Sequence, residues 1–480
     1  MTKNEFGKLY IKIVSAKNTL ALDLTGTSDP YCLISLIYNV QTGFTNNSPI
    51  YKTEIIPKTL NPIWKDEEFI FDINQPSQEI YLEMWDEDKV SKDDFMGMIK
   101  LSVEDLIRGS KLEGSTTILD LPLKSRKSKS KEKNRGTIQI HYQYWSQSDL
   151  ISPLIRESLL IKSITKILHQ DEFAKSLMFI LANNGHLLET LGDILTVEIE
   201  NTDNINVLFR TDSLATKITV STFKIIGYNY LEAVILPLIK NICNDNLQLE
   251  VDPLKGPITE KQSSDNLKII LNYCDGILNS IQNSIHLIPE EMKQLLCLIL
   301  NQVQKKFPSE TKESSLKSVG GFFFLRFLVP TLFSRGSLLP SDDGSNISHE
   351  SRRTLTLISK ILQNISNQLI ITKETFLLEC NPYISTKIPL VIDILQKVSS
   401  PKSLESDHCQ SFKSMFTCDD STLFKYSDQV YMGILEKKQL ISTKISSLNE
   451  NSLSLLDQLE KRCSLFDIQS KQDSKKYILK

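Results

Sequence analysis

The stretch GTIQIHYQYWSQSDLISP, Gly136 to Pro153, contains the point at which the chain changes from one pattern to another. Apolar and polar residues alternate through GTIQIHYQYW, as they do in a half-buried β-strand. SQSDLISP is polar and ends in proline, which is typical of a linker. This stretch therefore separates an N-terminal β region from a C-terminal helical region in a chain of 480 residues.

Upstream of this boundary, seven further segments have the composition of strands. They are KLYIKIVSA, DPYCLISLIY, YKTEII, EEFIFDI, EIYLEMW, FMGMIKLSV and TTILDL. Eight strands predict an antiparallel β-sandwich over residues 1–146, followed by a linker at 147–154. Downstream, apolar residues recur at helical spacing almost to Lys480. We therefore expect an all-α domain over residues 155–400, with a helical extension of that domain over residues 401–480.

Composition sets limits on location and partners. Hydrophobic residues make up 40% of the chain and the net charge is only −3, so attraction to a charged partner requires a local patch. The cysteines form no C-x-x-C pair and the first residues contain no apolar signal core, which favours a cytoplasmic location. The most apolar run, GGFFFLRFLVPTLF, is short and carries an arginine, so no transmembrane helix is predicted.

Two loops of the β region carry clustered aspartates. LALDLTGTSDPYC, residues 20–32, follows the first strand, and WDEDKVSKDDFMG, residues 85–97, joins the fifth and sixth strands. Calcium prefers six to eight oxygen ligands, and clustered carboxylates repel one another unless a cation lies among them. From spacing alone, solvated acidic turns remain an alternative to a metal site. The candidate ligands are Asp23, Asp29, Asp86, Asp88 and Asp94.

A basic run, KSRKSKSKEKNR, lies between the seventh and eighth strands. In an antiparallel sandwich this turn is at the same end as the two acidic loops. Each basic residue near an anionic leaflet contributes on the order of 1 kcal/mol, so the run predicts membrane contact, with a solvated charge run as the alternative. Nucleic acid is disfavoured as a partner because no aromatic residues interleave. The candidate membrane residues are Lys124, Arg126, Lys127, Lys129, Lys131, Lys133 and Arg135.

Two arginines stand out in the helical region. Arg210 lies in VLFRTDSLATK just before a predicted helix, and Arg326 is the single charge within GGFFFLRFLVP. A guanidinium has five donors and keeps its charge, so Arg326 requires carbonyl or carboxylate acceptors, which a turned-in loop can supply. Taken alone, Arg210 also fits a surface residue or a partner of Asp212.

A third segment, RRTLTLISKILQNISNQLII, has the spacing of an amphipathic helix. The face opposite its apolar side carries amides and a lysine with no acidic companion nearby in sequence. Such a face suits contact with an acidic partner surface. The predicted buried side consists of Leu355, Ile358, Ile361, Leu362, Ile365 and Leu369. The predicted polar face consists of Lys360, Gln363, Asn364 and Asn367.

The N-terminal motifs resemble the C2 domain family. SDPY at 28–31, LNPIW at 60–64 and the second acidic loop occur in the family's order, and the resemblance covers residues 7–145. It implies a Ca²⁺ site at the five aspartates and binding to an anionic phospholipid membrane. The strand order resembles the circular variant of the family, with both termini of the domain far from the calcium loops.

The helical motifs resemble the catalytic domain of Ras GTPase-activating proteins. VLFRTDSLATK, FLRFLVP, TLTLISKILQNISN and ECNPYIS follow in the family's order, and the similarity covers about 155–400. It implies that Arg210 is an arginine finger that enters a partner GTPase and that Arg326 holds the finger loop through backbone carbonyls. The partner would carry the GTP and the Mg²⁺. The implied GTPase-binding residues are Leu208, Phe209, Leu325, Lys360, Gln363 and Asn367.

These resemblances together imply a GTPase-activating protein for a Ras-family GTPase, Ras or also Rap, that calcium recruits to the plasma membrane. The chain offers no phosphate loop, nucleophile elbow or H-E-x-x-H motif, so no independent active site is expected. A non-catalytic scaffold that binds a GTPase and lipid is the alternative. Thr211, Asp212 and Thr331 depart from the family pattern and bear on the rate.

Overall fold

The computed structural model of the chain describes residues 7–38, 48–75, 77–88, 92–110, 116–126, 134–146, 164–165, 167–333, 348–401, 414–446, 464–465, 467–469 and 471–478. The chain divides into two compact units. The first contains residues 1–160 together with 418–480, and the second contains residues 161–417.

The first unit contains the expected antiparallel sandwich. It consists of a four-stranded sheet and a five-stranded sheet. Alternate residues of the first strand, such as Leu9, Ile11 and Ile13, are fully buried between the sheets. The strands are β1 Gly7–Lys17, β2 Pro30–Tyr38, β3 Ile50–Lys52, β4 Ile63–Ile73, β5 Gln78–Asp86, β6 Asp94–Ser102, β7 Thr117–Pro122, β8 Thr137–Ser146 and β9 Lys476–Tyr477. A short helix, α1 Val103–Gly109, follows β6.

The second unit is helical. Its helices are α2 Asp171–Asn183, α3 Leu187–Glu200, α4 Leu214–Ile226, α5 Leu236–Asp245, α6 Glu260–Asn283, α7 Glu290–Lys306, α8 Lys312–Gly320, α9 Val329–Phe333, α10 His349–Ser366 and α11 Asn381–Val398. Side chains cap several of these helices; Ser213 and Thr259, for example, each form a capping box at the start of α4 and α6.

A π-helical segment, Gly321–Leu328, joins α8 to α9, and its four phenylalanines are buried. By length and composition Lys312–Leu332 could span a bilayer, but 72% of its most apolar window is buried within the protein. Gly227, at the end of α4, permits this packing, because a Cβ atom there would lie 2.4 Å from the Phe327 ring. The segment is therefore largely buried within the protein.

The C-terminal residues differ from the sequence-based expectation. Helical periodicity predicts that residues 401–480 extend the helical domain, yet residues 418–480 form one unit with the sandwich. Within that unit, Gln472 Oε1 accepts the buried backbone N–H of Ile70 at 2.6 Å, and β9 pairs with β3. Their partners are about 400 positions away in sequence, so local periodicity cannot reveal them. The helices are α12 Asp420–Glu436 and α13 Lys438–Ser446.

Candidate functional site

The arginine loop, residues 205–213, lies between α3 and α4. It begins with a turn of 3₁₀ helix at Ile205–Val207, and the Arg210 N–H donates to the Val207 carbonyl at 3.2 Å. Phe209 has φ of +57°, a left-handed conformation that costs a non-glycine residue energy and requires support from its surroundings. Its ring is buried against Phe322 with 4.8 Å between centroids, while Arg210, the next residue, is exposed.

Arg326 supplies part of that support. Its Nη2 donates to the Phe209 carbonyl and its Nη1 to the Gly321 carbonyl at 3.4 Å, and the guanidinium lies 5.6 Å from the centroid of the Phe322 ring. The sequence predicts that Arg326 donates to a loop carbonyl. In the structure Arg326 donates to the carbonyl of Phe209, the residue directly before Arg210. We call this contact between Arg326 and Phe209 the clamp.

The charge of the clamp is balanced by acids from two elements. Burial lowers the pKa of Arg326, and the negative charges of Glu198 and Asp212 oppose that shift. Glu198 lies in the last turn of α3 and Asp212 in the arginine loop itself. The charge of Asp212, two residues after Arg210, thus acts on Arg326. Both acids therefore favour the charged form of the guanidinium.

The exit of the loop is held by a hydroxyl network. Thr216 Oγ1 donates to the Thr211 carbonyl at 3.2 Å, and its backbone N–H donates to Ser213 Oγ at 3.1 Å. Thr211 and Asp212 are exposed, so their departure from the family pattern leaves the core unchanged. Thr331 is buried, and its hydroxyl donates to the Phe327 carbonyl at 2.9 Å.

A cavity of about 120 Å³ adjoins the loop and brings together most of the predicted site residues. Those predicted from sequence are Leu208, Phe209, Arg210, Leu325, Arg326 and Asn367. Lys360 and Gln363 do not line it. The other lining residues include Lys317 of α8 and Leu369, which sequence reasoning did not select as site residues. Their position beside Arg210 makes them candidate contacts for a partner.

Leu369 corrects the predicted face of the third motif. Sequence spacing placed it on the buried side, but α10 ends at Ser366 and Gln368 has φ of +56°. The helical register is therefore lost before Leu369, which is 52% exposed. The other five residues predicted for that side are buried.

Lys360 also differs from expectation. No acid lies near it in the helical pattern of the sequence, but its Nζ lies 2.8 Å from Glu374 Oε1, and about a third of each side chain is exposed. This ammonium lowers the pKa of Glu374. The companion comes from the segment after α10, 14 residues later, so a helical projection of α10 could not show it. A partner of acidic surface would have to compete with Glu374 for this lysine.

In the first unit, strand pairing brings the two acidic loops to one end of the sandwich. Pro30 lies opposite Asp86, and Asp86 lies opposite Asp94. Asp86 Oδ1 accepts the Asp29 N–H at 2.5 Å, and Asp29 Oδ1 accepts the Lys58 N–H at 2.6 Å. All five candidate aspartates thus belong to the two loops that meet at this end.

Electrostatics indicate that several of these carboxylates are close. Burial raises the pKa of Asp86, hydrogen bonds from Asp29 and Ser28 oppose the rise, and the charges of Asp23 and Asp88 add to it. A cation among them would relieve that repulsion, and the oxygen donors are of the type that calcium prefers. Within the described ranges, however, no three acidic, histidine or cysteine side chains are arranged to hold a metal ion.

The basic turn lies beside the second acidic loop. Arg126 forms a bidentate pair with Glu83 at 2.8 and 2.6 Å and lies 4.4 Å from the centroid of the Phe95 ring. Arg135 Nη1 donates to the Met96 carbonyl at 2.6 Å. The Lys124 backbone pairs with that of Met98. The four lysines at 127, 129, 131 and 133 lie outside the described residues.

The tip of the first acidic loop carries two exposed leucines that sequence reasoning did not select. Leu24 is fully exposed and Leu22 is 37% exposed, one on each side of Asp23. The alternation LALDL could have indicated them, because apolar side chains in an exposed acidic loop have no core to enter. They are candidates for contact with the apolar part of a membrane.

Comparisons with known proteins match the two regions separately. Residues 190–367 match the family model described as GTPase-activator protein for Ras-like GTPase, and residues 7–118 match that of the C2 domain. Human RasGAP-activating-like protein 1 is 24% identical over 429 residues, covering 81% of this chain and 51% of the relative. Mouse Ras GTPase-activating protein 4 is 25% identical over 431 residues, covering 82% and 51%.

Among solved structures, a C2 domain of plant Extended Synaptotagmin 1 is 25% identical with a TM-score of 0.24, and covers 30% of this chain and 98% of that one. The chain spans about half the length of the curated relatives it matches.

Proposed function

We propose that this chain, which carries a C2 domain followed by a RasGAP domain, stimulates GTP hydrolysis by a Ras-family GTPase through Arg210. The observation that carries the proposal is the arginine loop itself. An exposed arginine follows a buried, left-handed phenylalanine whose carbonyl is held by a second arginine. Such a loop presents a guanidinium to a partner without requiring the partner to order it.

The chemistry asks little else of this chain. Loss of the γ-phosphoryl group builds negative charge on phosphate oxygens, and a fixed guanidinium stabilises that charge through its planar set of donors. The attacking water, the GTP and its Mg²⁺ belong to the GTPase. Arginine fingers of Ras-directed activators raise the rate by about 10³–10⁵, a value known for this class of activator and not worked from this structure.

The cavity beside Arg210 supports a partner that binds against the arginine loop. Leu325, Leu369 and Asn367 border it together with Lys317. We propose that this surface, with Lys360 and Gln363 on the adjacent helix α10, receives the switch region of the GTPase. Ras is the first candidate for the partner and Rap the second.

For the C2 domain we propose calcium-dependent binding to anionic phospholipid. Bound calcium would neutralise the carboxylates of the two acidic loops and thereby change the net charge at that end of the sandwich from negative to positive. These carboxylates are those of Asp23, Asp29, Asp86, Asp88 and Asp94. The exposed Leu24 and the basic turn would then contact the same leaflet. The protein would act in the cytoplasm and bind calcium-dependently at the plasma membrane, where a lipid-anchored GTPase lies.

The first test is single-turnover GTP hydrolysis by purified Ras-type and Rap-type GTPases with the wild-type chain, Arg210→Ala and Arg210→Lys. We expect stimulation to be lost in Arg210→Ala while binding is retained, and to be only partly restored by Arg210→Lys, because lysine lacks the guanidinium fork. Arg108→Ala is the matched control, since it removes an exposed arginine from the C2 unit. Binding without stimulation by the wild type would establish the scaffold alternative.

The membrane proposal has its own test, sedimentation with liposomes of phosphatidylserine and phosphatidylcholine with and without calcium. We expect calcium to increase binding and Leu24→Ser to reduce it without changing the fold. Leu254→Ser is the control, because Leu254 is an almost fully exposed leucine of the RasGAP unit. Equal binding with calcium and with chelator would refute the calcium dependence.

A further inference from the structure

We infer that Glu198 is a positioning residue that holds the exit of the arginine loop through Ser213. The inference deepens the proposed function and rests on it, because it assigns Glu198 an effect on the rate through Arg210. Sequence reasoning gave Glu198 no role.

The first observation is the contact of Glu198 with the loop. Ser213 Oγ donates a hydrogen bond to Glu198 Oε2, a bond between a hydroxyl and a carboxylate. Ser213 is the N-cap of α4 and lies three residues after Arg210. Glu198 lies in the last turn of α3, so this bond ties the end of one helix to the start of the next across the base of the loop.

The second observation is that the hydrogen bonds around Ser213 are mutually consistent. Its single hydroxyl proton goes to Glu198, so its oxygen is free to accept the Thr216 N–H at 3.1 Å. Thr216 Oγ1 in turn accepts the Ser213 N–H at 2.9 Å, and its own proton has two acceptors within reach, the Ser213 carbonyl at 2.9 Å and the Thr211 carbonyl at 3.2 Å. The carboxylate therefore orients the hydroxyl of the helix cap, and the Thr216 side chain bound to that cap lies within hydrogen-bond distance of the Thr211 carbonyl next to Arg210.

The third observation is the space around the loop. A cavity of about 640 Å³ borders it on one side and is lined by Glu198, Phe209, Thr211 and Ser213. The smaller cavity with Arg326 and Arg210 also borders it. Side-chain packing alone therefore leaves the loop room to shift, and directed bonds at Phe209, Thr211 and Ser213 must fix it.

The charges of Glu198 and Arg326 also support a positioning role for Glu198. Glu198 is half-buried, and burial raises its pKa, while the hydrogen bond from Ser213 and the charge of Arg326 oppose the rise. Arg326 is half-buried as well and is stabilised by Glu198. Removing one of the two acids that balance a partly buried charge makes that charge more costly, although Asp212 would still act on Arg326. Loss of Glu198 would thus weaken the loop at both ends, at Ser213 directly and at Phe209 through Arg326.

The test compares Glu198→Ala and Glu198→Gln with the wild type in single-turnover GTP hydrolysis at varied concentrations of the chain. A bond to a charged group at this position is expected to change the maximal stimulated rate about 10- to 100-fold in Glu198→Ala. The half-saturating concentration should change little, and Glu198→Gln should lose less because its amide oxygen still accepts from Ser213. Glu189→Gln, an exposed acid on the same helix, is the matched control.

Two further measurements distinguish positioning from a general effect on folding. In the Arg210→Ala background, Glu198→Ala should reduce the rate no further, because the residue acts through Arg210. In the free chain, hydrogen exchange at the amides of Arg210, Ser213 and Thr216 should accelerate in Glu198→Ala and not in Glu189→Gln.

An unchanged maximal rate in Glu198→Ala, or an equal loss in the Arg210→Ala background, would overturn the inference. If the wild type fails to stimulate any GTPase, the proposed function fails. Unchanged exchange in Glu198→Ala would then separately refute the tie between Glu198 and the loop.

Discussion

Replacing Arg326 by alanine tests whether the clamp prepares Arg210 before the GTPase arrives. The variant removes the bond from the guanidinium to the Phe209 carbonyl and the contact with the Phe322 ring. Arg210 itself keeps its side chain and its exposure. Any change in rate must therefore come from the geometry or order of the loop.

The magnitude follows from what the clamp holds. A hydrogen bond from a charged donor contributes about 1.5–3 kcal/mol. The left-handed backbone of Phe209 stores about 1–3 kcal/mol of strain, which the loop would release by relaxing once the clamp is gone. Because about 1.4 kcal/mol corresponds to a factor of ten, losing the bond alone lowers the prepared population about 10- to 100-fold, and release of the strain would add to that loss. The loss is expected to be smaller than that caused by Arg210→Ala.

The assay is single-turnover GTP hydrolysis with the GTPase limiting and the chain varied to saturation. We expect a lower maximal rate with a nearly unchanged half-saturating concentration, and Arg326→Lys should recover only part of the loss because lysine supplies a point charge. Arg353→Ala is the matched control, since this arginine pairs with Glu250 at 2.7 Å and contacts Phe376. A folded Arg326→Ala variant with the wild-type maximal rate would refute the idea that the clamp prepares the finger.

Three further predictions concern other contacts. Glu374→Gln should free Lys360 for the GTPase and lower the half-saturating concentration about two- to fivefold, as expected for a partly exposed pair; an unchanged value would show that this lysine does not meet the partner. Asp86→Asn keeps a hydrogen-bond acceptor and removes a carboxylate whose pKa is raised in the folded state. Such a carboxylate destabilises the folded state at every pH above its unfolded pKa, and pH 7 lies in that range. Without calcium, the variant should therefore melt no lower than the wild type at pH 7. Calcium should then raise the melting temperature of the wild type alone. Gln472→Ala should reduce the free energy of unfolding of the C2 unit by about 1–3 kcal/mol in urea titrations, because a buried N–H of β4 loses its acceptor, whereas the exposed Lys476→Ala should not.

Features set by local sequence could be predicted well. Alternation of apolar and polar residues predicts the strands of the sandwich, because one face of each strand must enter the core. The antiparallel order then places the acidic loops and the basic turn at one end, where Arg126 contacts the ring of Phe95. In the same way, the isolation of Arg326 in an apolar segment predicts a carbonyl partner, and the Phe209 carbonyl is such a partner.

Features that depend on distant partners could not be predicted. The C-terminal strand β9 pairs with β3, and nothing in either short segment specifies the other. Lys360 looks unpaired on a helical projection because Glu374 lies beyond the end of the helix. Leu369 fits the helical period but follows a left-handed residue, and periodicity does not indicate where a helix stops.

Asp212 shows why the charge around a finger must be evaluated in three dimensions. In sequence it lies two residues after Arg210, which suggests that its carboxylate reduces the positive field that the finger offers to phosphate. In the structure its charge favours the protonated form of Arg326, against the burial that lowers the pKa of that guanidinium. Arg326 in turn holds the carbonyl that precedes Arg210. An acid in this loop therefore acts on the residue that holds the backbone beside Arg210. Under the proposed function, its effect on the rate would be the balance between weakening the field at the phosphate and strengthening the clamp.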